Sequence, residues 1–170
     1  MRLLVISDTH GYLGSARRAI AELGPWDQIV HLGDSLLDAV ALAVEVGIDI
    51  VAVRGNNEFP GGEESADVLV FTAAGVQFYA VHGHLQDFNG YDAPERQEQS
   101  HRELARRARE AGASVALFGH THQPLLRELE GVLVLNPGGM SLGDPVRTCA
   151  AVEVDGPGRV RARIVTVDRA

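Results

Sequence analysis

The sequence predicts a layered α/β sandwich, two sheets packed face to face with helices outside. Three observations carry this. The first half alternates short apolar runs with amphipathic segments in the order strand, helix, strand, helix, strand, the pattern of parallel strands joined by crossover helices. The second half is a series of strand-like runs separated by turn residues. The 170 residues, 45% hydrophobic and 22% charged, suit one soluble domain spanning residues 1–170.

Leu3–Ser7 is apolar enough for a buried first strand. Gly14–Leu23 carries apolar residues at helical spacing and is stopped by Gly24 and Pro25. Ile29–Leu32 is a second strand, Leu36–Val46 a helix closed by Gly47, and Ile48–Val53 a third strand. Residues 56–67 read as a Gly- and Glu-rich loop. Val68–Thr72 and Val76–His82 form a hairpin about Ala74 and Gly75, and Leu85–Ala93 is irregular. Pro94–Ala111 is a helix whose Arg and Glu residues are spaced for i,i+4 pairs on a solvated face. Val115–Phe118, Leu125–Leu129, Val132–Leu135, Thr148–Val154 and Val160–Val167 complete the strands.

The bulk chemistry excludes several functions. A formal net charge of −8 argues against nucleic-acid binding by bulk charge. There is no lysine, which excludes Schiff-base and P-loop chemistry. Cys149 is the single cysteine, expected in the core. No apolar run approaches the roughly 20 residues of a membrane helix. The N-terminal segment reads as a strand rather than a signal peptide, so a cytoplasmic location is expected.

The polar punctuation is concentrated at strand ends. Asp8 and His10, Asp34, Asn56, His82 and His84, and His120 and His122 each follow a short apolar run. Open α/β sheets bind ligands where loops converge outside the carboxyl ends of their strands. Each motif alone has an ordinary reading as a turn, a helix cap or a surface pair. Together they offer imidazole, carboxylate and one amide without thiolate, a donor set suited to Mn, Fe, Zn or Co.

In order, these residues read Asp8-Thr9-His10, Gly33-Asp34, Gly55-Asn56-Asn57-Glu58, His82-Gly83-His84 and Gly119-His120-Thr121-His122. They resemble the calcineurin-like metallophosphoesterase superfamily, and the length and His-Gly-His form resemble its small YfcE-like phosphodiesterases. The resemblance implies a four-layer α/β/β/α sandwich and two divalent metal ions, Mn first and Fe, Zn, Co or Ni as alternatives. One ion would be held by Asp8, His10, Asp34 and His122, the other by Asp34, Asn56, His82 and His120. A hydroxide between them would attack phosphorus in line. Asp34, Asn56 and His84 are the candidate catalytic residues, with His84 either a proton donor or phosphate contact, or a packing residue beside the second metal.

One departure bears on the substrate. Many relatives have His directly after the motif Asn, where it protonates the leaving group, whereas this chain has Asn57. An amide is no general acid near neutral pH, which favours a small phosphodiester over an alkyl monoester. The alternatives are a phosphomonoesterase with the same metals and a catalytically inactive scaffold on the same fold. His31 is expected to be a core histidine, Glu58 to orient its loop, and His101 to lie on the surface. Residues 136–139, Asn-Pro-Gly-Gly, form either a phosphate-binding turn or a closing turn, and the loops at 61–64 and 88–92 border the pocket. No membrane partner is expected, and the apolar β-rich half is compatible with a homodimer.

Overall fold

The protein, a computed structural model, is described over residues 1–58 and 65–169. Its first sheet has the order β10-β9-β1-β2-β3, from β1 (Arg2–Ile6), β2 (Gln28–His31), β3 (Ile50–Ala52), β9 (Val146–Val154) and β10 (Val160–Arg169). β1, β2 and β3 are parallel, and β9 runs antiparallel to both β1 and β10. The second sheet has the order β4-β5-β6-β8-β7, from β4 (Val68–Ala73), β5 (Val76–Val81), β6 (Val115–Leu117), β7 (Leu125–Leu129) and β8 (Val132–Asn136). β5, β6 and β8 are parallel, with β4 and β7 antiparallel at the edges.

Three apolar clusters define four layers. Along β1, Leu3 and Val5 face the second sheet and meet Phe78, Ala80 and Leu117. Leu4 and Ile6 point the other way, into a cluster with α1 (Gly14–Leu23) and α2 (Leu36–Val46). This is the period-two alternation of a strand buried on both sides. Leu104, Ala105 and Ala108 of α3 (Pro94–Glu110) pack on the outer face of the second sheet, against Tyr79, Ala116 and Val134. The order is therefore α/β/β/α.

Local sequence explains most boundaries. α2 ends on Gly47, left-handed at φ 66°, whose N–H reaches the Ala43 carbonyl. Ala74 and Gly75, both at positive φ, close the β4–β5 hairpin. α3 starts on Pro94 and carries ion pairs such as Arg102–Glu98 and Arg107–Glu103 on its solvent face. The irregular stretch after β5 contains one 3-10 turn, His84–Gln86.

Three expectations need correction or completion. His101 is half-buried rather than on the surface, stacked on Phe88 at 5.6 Å and near Phe118 at 5.4 Å. β3 is shorter than its apolar run. The loop at 61–64 lies outside the described residues. Cys149 is buried, and burial pushes its thiol up to about 12, as befits a core residue. Among the described residues no helix is long and apolar enough to cross a membrane.

Candidate metal centre

Five chain segments leave the ends of β1, β2, β3, β5 and β6 and meet at one edge of the sandwich. Asp8 and Asp34 are buried there, 0% and 1% exposed, and His82 is equally enclosed. Asp34 stands between two imidazoles. Its Oδ2 lies 3.5 Å from His10 Nε2 and its Oδ1 lies 3.4 Å from His82 Nε2. Asp8 Oδ1 lies 3.4 Å from His122 Nε2, and His122 Nε2 is 3.4 Å from His10 Nε2. Asn56 Oδ1 is 3.0 Å from His82 Nε2, and the His120 ring stands edge-on to His82 at 5.1 Å. The sequence-predicted ligands are thus brought together. Two groups could each hold a cation, Asp8 with His10 and His122, and Asp8 with Asp34 and His82.

The backbone is bent to achieve this. Asp8, His10, Asp34, His120 and His122 all have positive φ, between 48° and 66°. Asp tolerates this region better than most residues, yet each instance costs on the order of 1 kcal/mol, and such strain gathers at functional sites. Two glycines permit the close approach of the loops. A Cβ on Gly55 would overlap Asp34 Oδ1 and its backbone nitrogen, and one on Gly119 would overlap Ser7 Oγ.

The donors fit divalent cations. Among the described residues Asp8 Oδ1 is buried with no hydrogen-bond partner. Burial pushes the Asp8 carboxyl up to about 7 despite the nearby His122, so its charge lacks adequate compensation within the chain. Burial also lowers His82 to about 4, leaving a neutral imidazole, the form that ligates. For Asp34, burial works upward, but His82 and the hydrogen bonds from Asn57 outweigh it and hold the carboxyl below its usual range.

Outer residues fix the orientation of these groups. His82 Nδ1 donates to the Leu32 carbonyl at 2.6 Å, which leaves Nε2 free toward Asp34. His122 Nδ1 pairs with Asp144 Oδ1 at 2.8 Å. Asp8 Oδ2 accepts from the His120 N–H at 3.1 Å, so Asp8 is not a helix cap. The Glu58 carboxylate accepts N–H bonds from Asp34, Leu36 and Gly55 at 3.1, 2.6 and 2.8 Å, tying the ends of β2 and β3 together and capping α2. His31 is fully buried and bonds Thr9 Oγ1 at 3.0 Å, behind the site as expected.

Residues 1–156 match the model of the calcineurin-like phosphoesterase superfamily domain. The chain belongs to that family. It is 34% identical to the probable metallophosphoesterase YsnB of Bacillus subtilis over 152 residues, 87% of this chain and 80% of the relative. It is 27% identical to a phosphodiesterase of Methanocaldococcus jannaschii, over 81% of this chain and 83% of the relative. A solved structure of a predicted phosphoesterase from Streptococcus pneumoniae superposes with TM-score 0.74 at 28% identity, covering 99% of this chain and 90% of that one.

Around this candidate centre some residues escape the sequence reading. Asp144 follows a Ser-Leu-Gly that reads only as a turn, yet it holds His122 and also accepts from Ser141 N and Oγ at 2.8 and 2.9 Å. Asp38 bonds Thr9 Oγ1 at 2.6 Å and the Gly11 N–H at 2.8 Å, steadying the Asp8–His10 turn. The available signal was an acid on the buried side of an apolar helix. Residues 136–139 are a buried closing turn. The Gly138 N–H is taken by Asn136 Oδ1 at 2.8 Å, and Asn136 Nδ2 donates to the Gly119 carbonyl at 2.8 Å.

Proposed function

We propose that the protein is a phosphodiesterase that works with two divalent metal ions, Mn²⁺ first among them. One ion is assigned to Asp8, His10, Asp34 and His122, and the other to Asp34, Asn56, His82 and His120. The observation that carries this reading is Asp34, whose two oxygens face two different histidines, His10 and His82. When bound, such ions supply Lewis-acid charge and a water acidic enough at neutral pH to attack phosphorus.

The chain's own groups supply position. The carboxylates of Asp8 and Asp34 and the neutral imidazoles hold the cations while leaving the site net positive. Among the described residues neither cleft beside the centre is walled by an arginine, and the chain has no lysine. Attraction of a phosphate anion is therefore left to the bound ions. To His84, 5.4 Å from His82 and outside the ligand set, we assign the contact with the phosphoryl group or the leaving oxygen.

Preference for a diester is supported by two features. The position after Asn56 holds Asn57, which has no proton to give near neutral pH. Two clefts meet at His122. One of about 530 Å³ runs along Phe88, Tyr91 and Pro145. The other, of about 360 Å³, runs along His10, Tyr12 and Leu142. A diester has two substituents to place, and a monoester has one. The name of the M. jannaschii relative points the same way.

The test uses protein stripped of metal and resupplied with Mn²⁺, assayed on bis(p-nitrophenyl) phosphate and p-nitrophenyl phosphate. Mn²⁺-dependent cleavage that favours the diester is expected. Preference for the monoester would replace the reading with a phosphomonoesterase. No turnover with Mn²⁺, Fe²⁺, Co²⁺, Ni²⁺ or Zn²⁺ would leave a scaffold on this fold.

A further inference from the structure

The segment between β5 and α3 holds a residue that the phosphoryl chemistry does not use. Tyr91 is 98% exposed and lines the larger cleft, which also opens onto His120 and His122. Its segment is firmly built. Phe88, three residues earlier, is buried and stacked on Phe118 at 4.5 Å and on His101 at 5.6 Å. The Gly90 carbonyl accepts from Gln97 Nε2 at 3.2 Å and from Gln123 Nε2 at 3.0 Å. Gln97 Nε2 also donates to the Asp92 carbonyl at 2.8 Å, and the Tyr91 N–H donates to Asn89 Oδ1 at 3.0 Å.

The backbone is thus tied down on both sides of Tyr91, while its ring makes no hydrogen bond or ring contact among the described residues. A rigid aromatic side chain on a fixed backbone loses little conformational freedom when it meets a ligand. The cleft volume of about 530 Å³ is within the range of small-molecule sites. Of the cleft's other lining residues, Asn89, Gly90, Thr121, Ser141 and Gly143 are polar or small, which suits a planar polar ring better than an acyl chain.

Building on the phosphodiesterase reading, we infer that Tyr91 is a stacking platform for a nucleobase, and that the larger cleft is the nucleoside arm of the site. The substrate class is then a nucleotide diester, with phosphorus at the metal centre, a base on Tyr91, and the second substituent in the cleft beside Tyr12. Tyr91 sets specificity by direct contact, and the stack of Phe88 on Phe118 and His101 holds it in place. Stacking of a base on an aromatic side chain is worth about 1–3 kcal/mol, roughly tenfold in affinity near the lower end of that range.

The test is calorimetric binding to Mn²⁺-loaded protein of two probes, thymidine 5′-phosphate and inorganic phosphate, with wild type, Tyr91→Phe and Tyr91→Ala. Wild type should bind thymidine 5′-phosphate about tenfold more tightly than inorganic phosphate. Tyr91→Phe should keep that margin. Tyr91→Ala should lose it while its affinity for inorganic phosphate stays unchanged. No margin in wild type, or equal weakening of both probes by Tyr91→Ala, would overturn the inference. The outcome is separable from that of the parent reading. Absence of Mn²⁺-dependent cleavage of bis(p-nitrophenyl) phosphate would sink the phosphodiesterase, whereas the two dissociation constants decide Tyr91 without turnover.

Discussion

Asn57 grips both oxygens of Asp34. Its backbone N–H donates to Oδ1 at 2.8 Å and its side-chain Nδ2 donates to Oδ2 at 2.8 Å. The residue that stands where many relatives carry an acid is therefore a clamp on the carboxylate between the two histidines. Truncation in Asn57→Ala removes one of the two bonds and leaves the backbone bond in place. The variant should bind Mn²⁺ about tenfold more weakly, the usual consequence of losing a partner of a ligand. Calorimetric titration of stripped protein checks this. Unchanged affinity would mean that the clamp does not orient Asp34.

Asp34→Asn keeps the shape of the side chain and removes its charge. Activity on bis(p-nitrophenyl) phosphate should fall by at least about 100-fold, the scale of losing one aligned electrostatic contact at a reacting centre. The fold should persist, because the flanking strands are held by the apolar cluster between the sheets. Circular dichroism and a thermal melt beside the assay separate the two effects. Substantial residual activity would contradict a role for Asp34 at both ions.

The contrast between Asp34 and Asn57 also marks where sequence reading stops. The strand-end motifs were legible because parallel strands deliver their carboxyl ends to one edge, so motif order maps directly onto proximity. α1 was legible to the residue, Gly14–Leu23, because apolar spacing and a Gly-Pro stop agree. β3 is shorter than the apolar run 48–53, since only Ile50–Ala52 pairs with β2 and an apolar run does not reveal its partner. Glu58, Asp144 and His101 act through contacts with residues distant in the chain. The Arg and Glu neighbours of His101 describe the solvent face of α3, whereas the rings of Phe88 and Phe118, from other segments, half-bury it.

Asp144→Ala should act through His122. The pairing of Asp144 Oδ1 with His122 Nδ1 at 2.8 Å raises the pKa of His122 and directs its Nε2 toward Asp8. Without the carboxylate the ring can turn, and metal affinity should fall between about 10- and 100-fold. Saturating Mn²⁺ should restore most of kcat, because Asp144, although it lines the larger cleft, acts by orienting His122. A kcat that stays low at saturating metal would instead place Asp144 in the chemistry itself.

His31 predicts a pH dependence of stability. Burial lowers its pKa from the ordinary 6.5 to about 4 in the folded protein. As pH falls below 6.5 the unfolded chain takes up a proton at this position that the folded chain refuses, so stability declines until pH reaches about 4. The loss over that window is about 3 kcal/mol. His31→Gln removes the titrating ring while leaving hydrogen-bonding groups for Thr9 Oγ1 and the Gly33 N–H, which His31 now contacts at 3.0 and 3.2 Å. The variant should be less stable than wild type at pH 7, and its unfolding free energy should fall less between pH 7 and pH 4.5. Urea unfolding of metal-free protein at both pH values measures this, and the difference between the two proteins cancels the other titrating groups. Parallel declines would mean that the folded protein accepts a proton on His31, which would have to enter at Nδ1 and displace the bond from the Gly33 N–H.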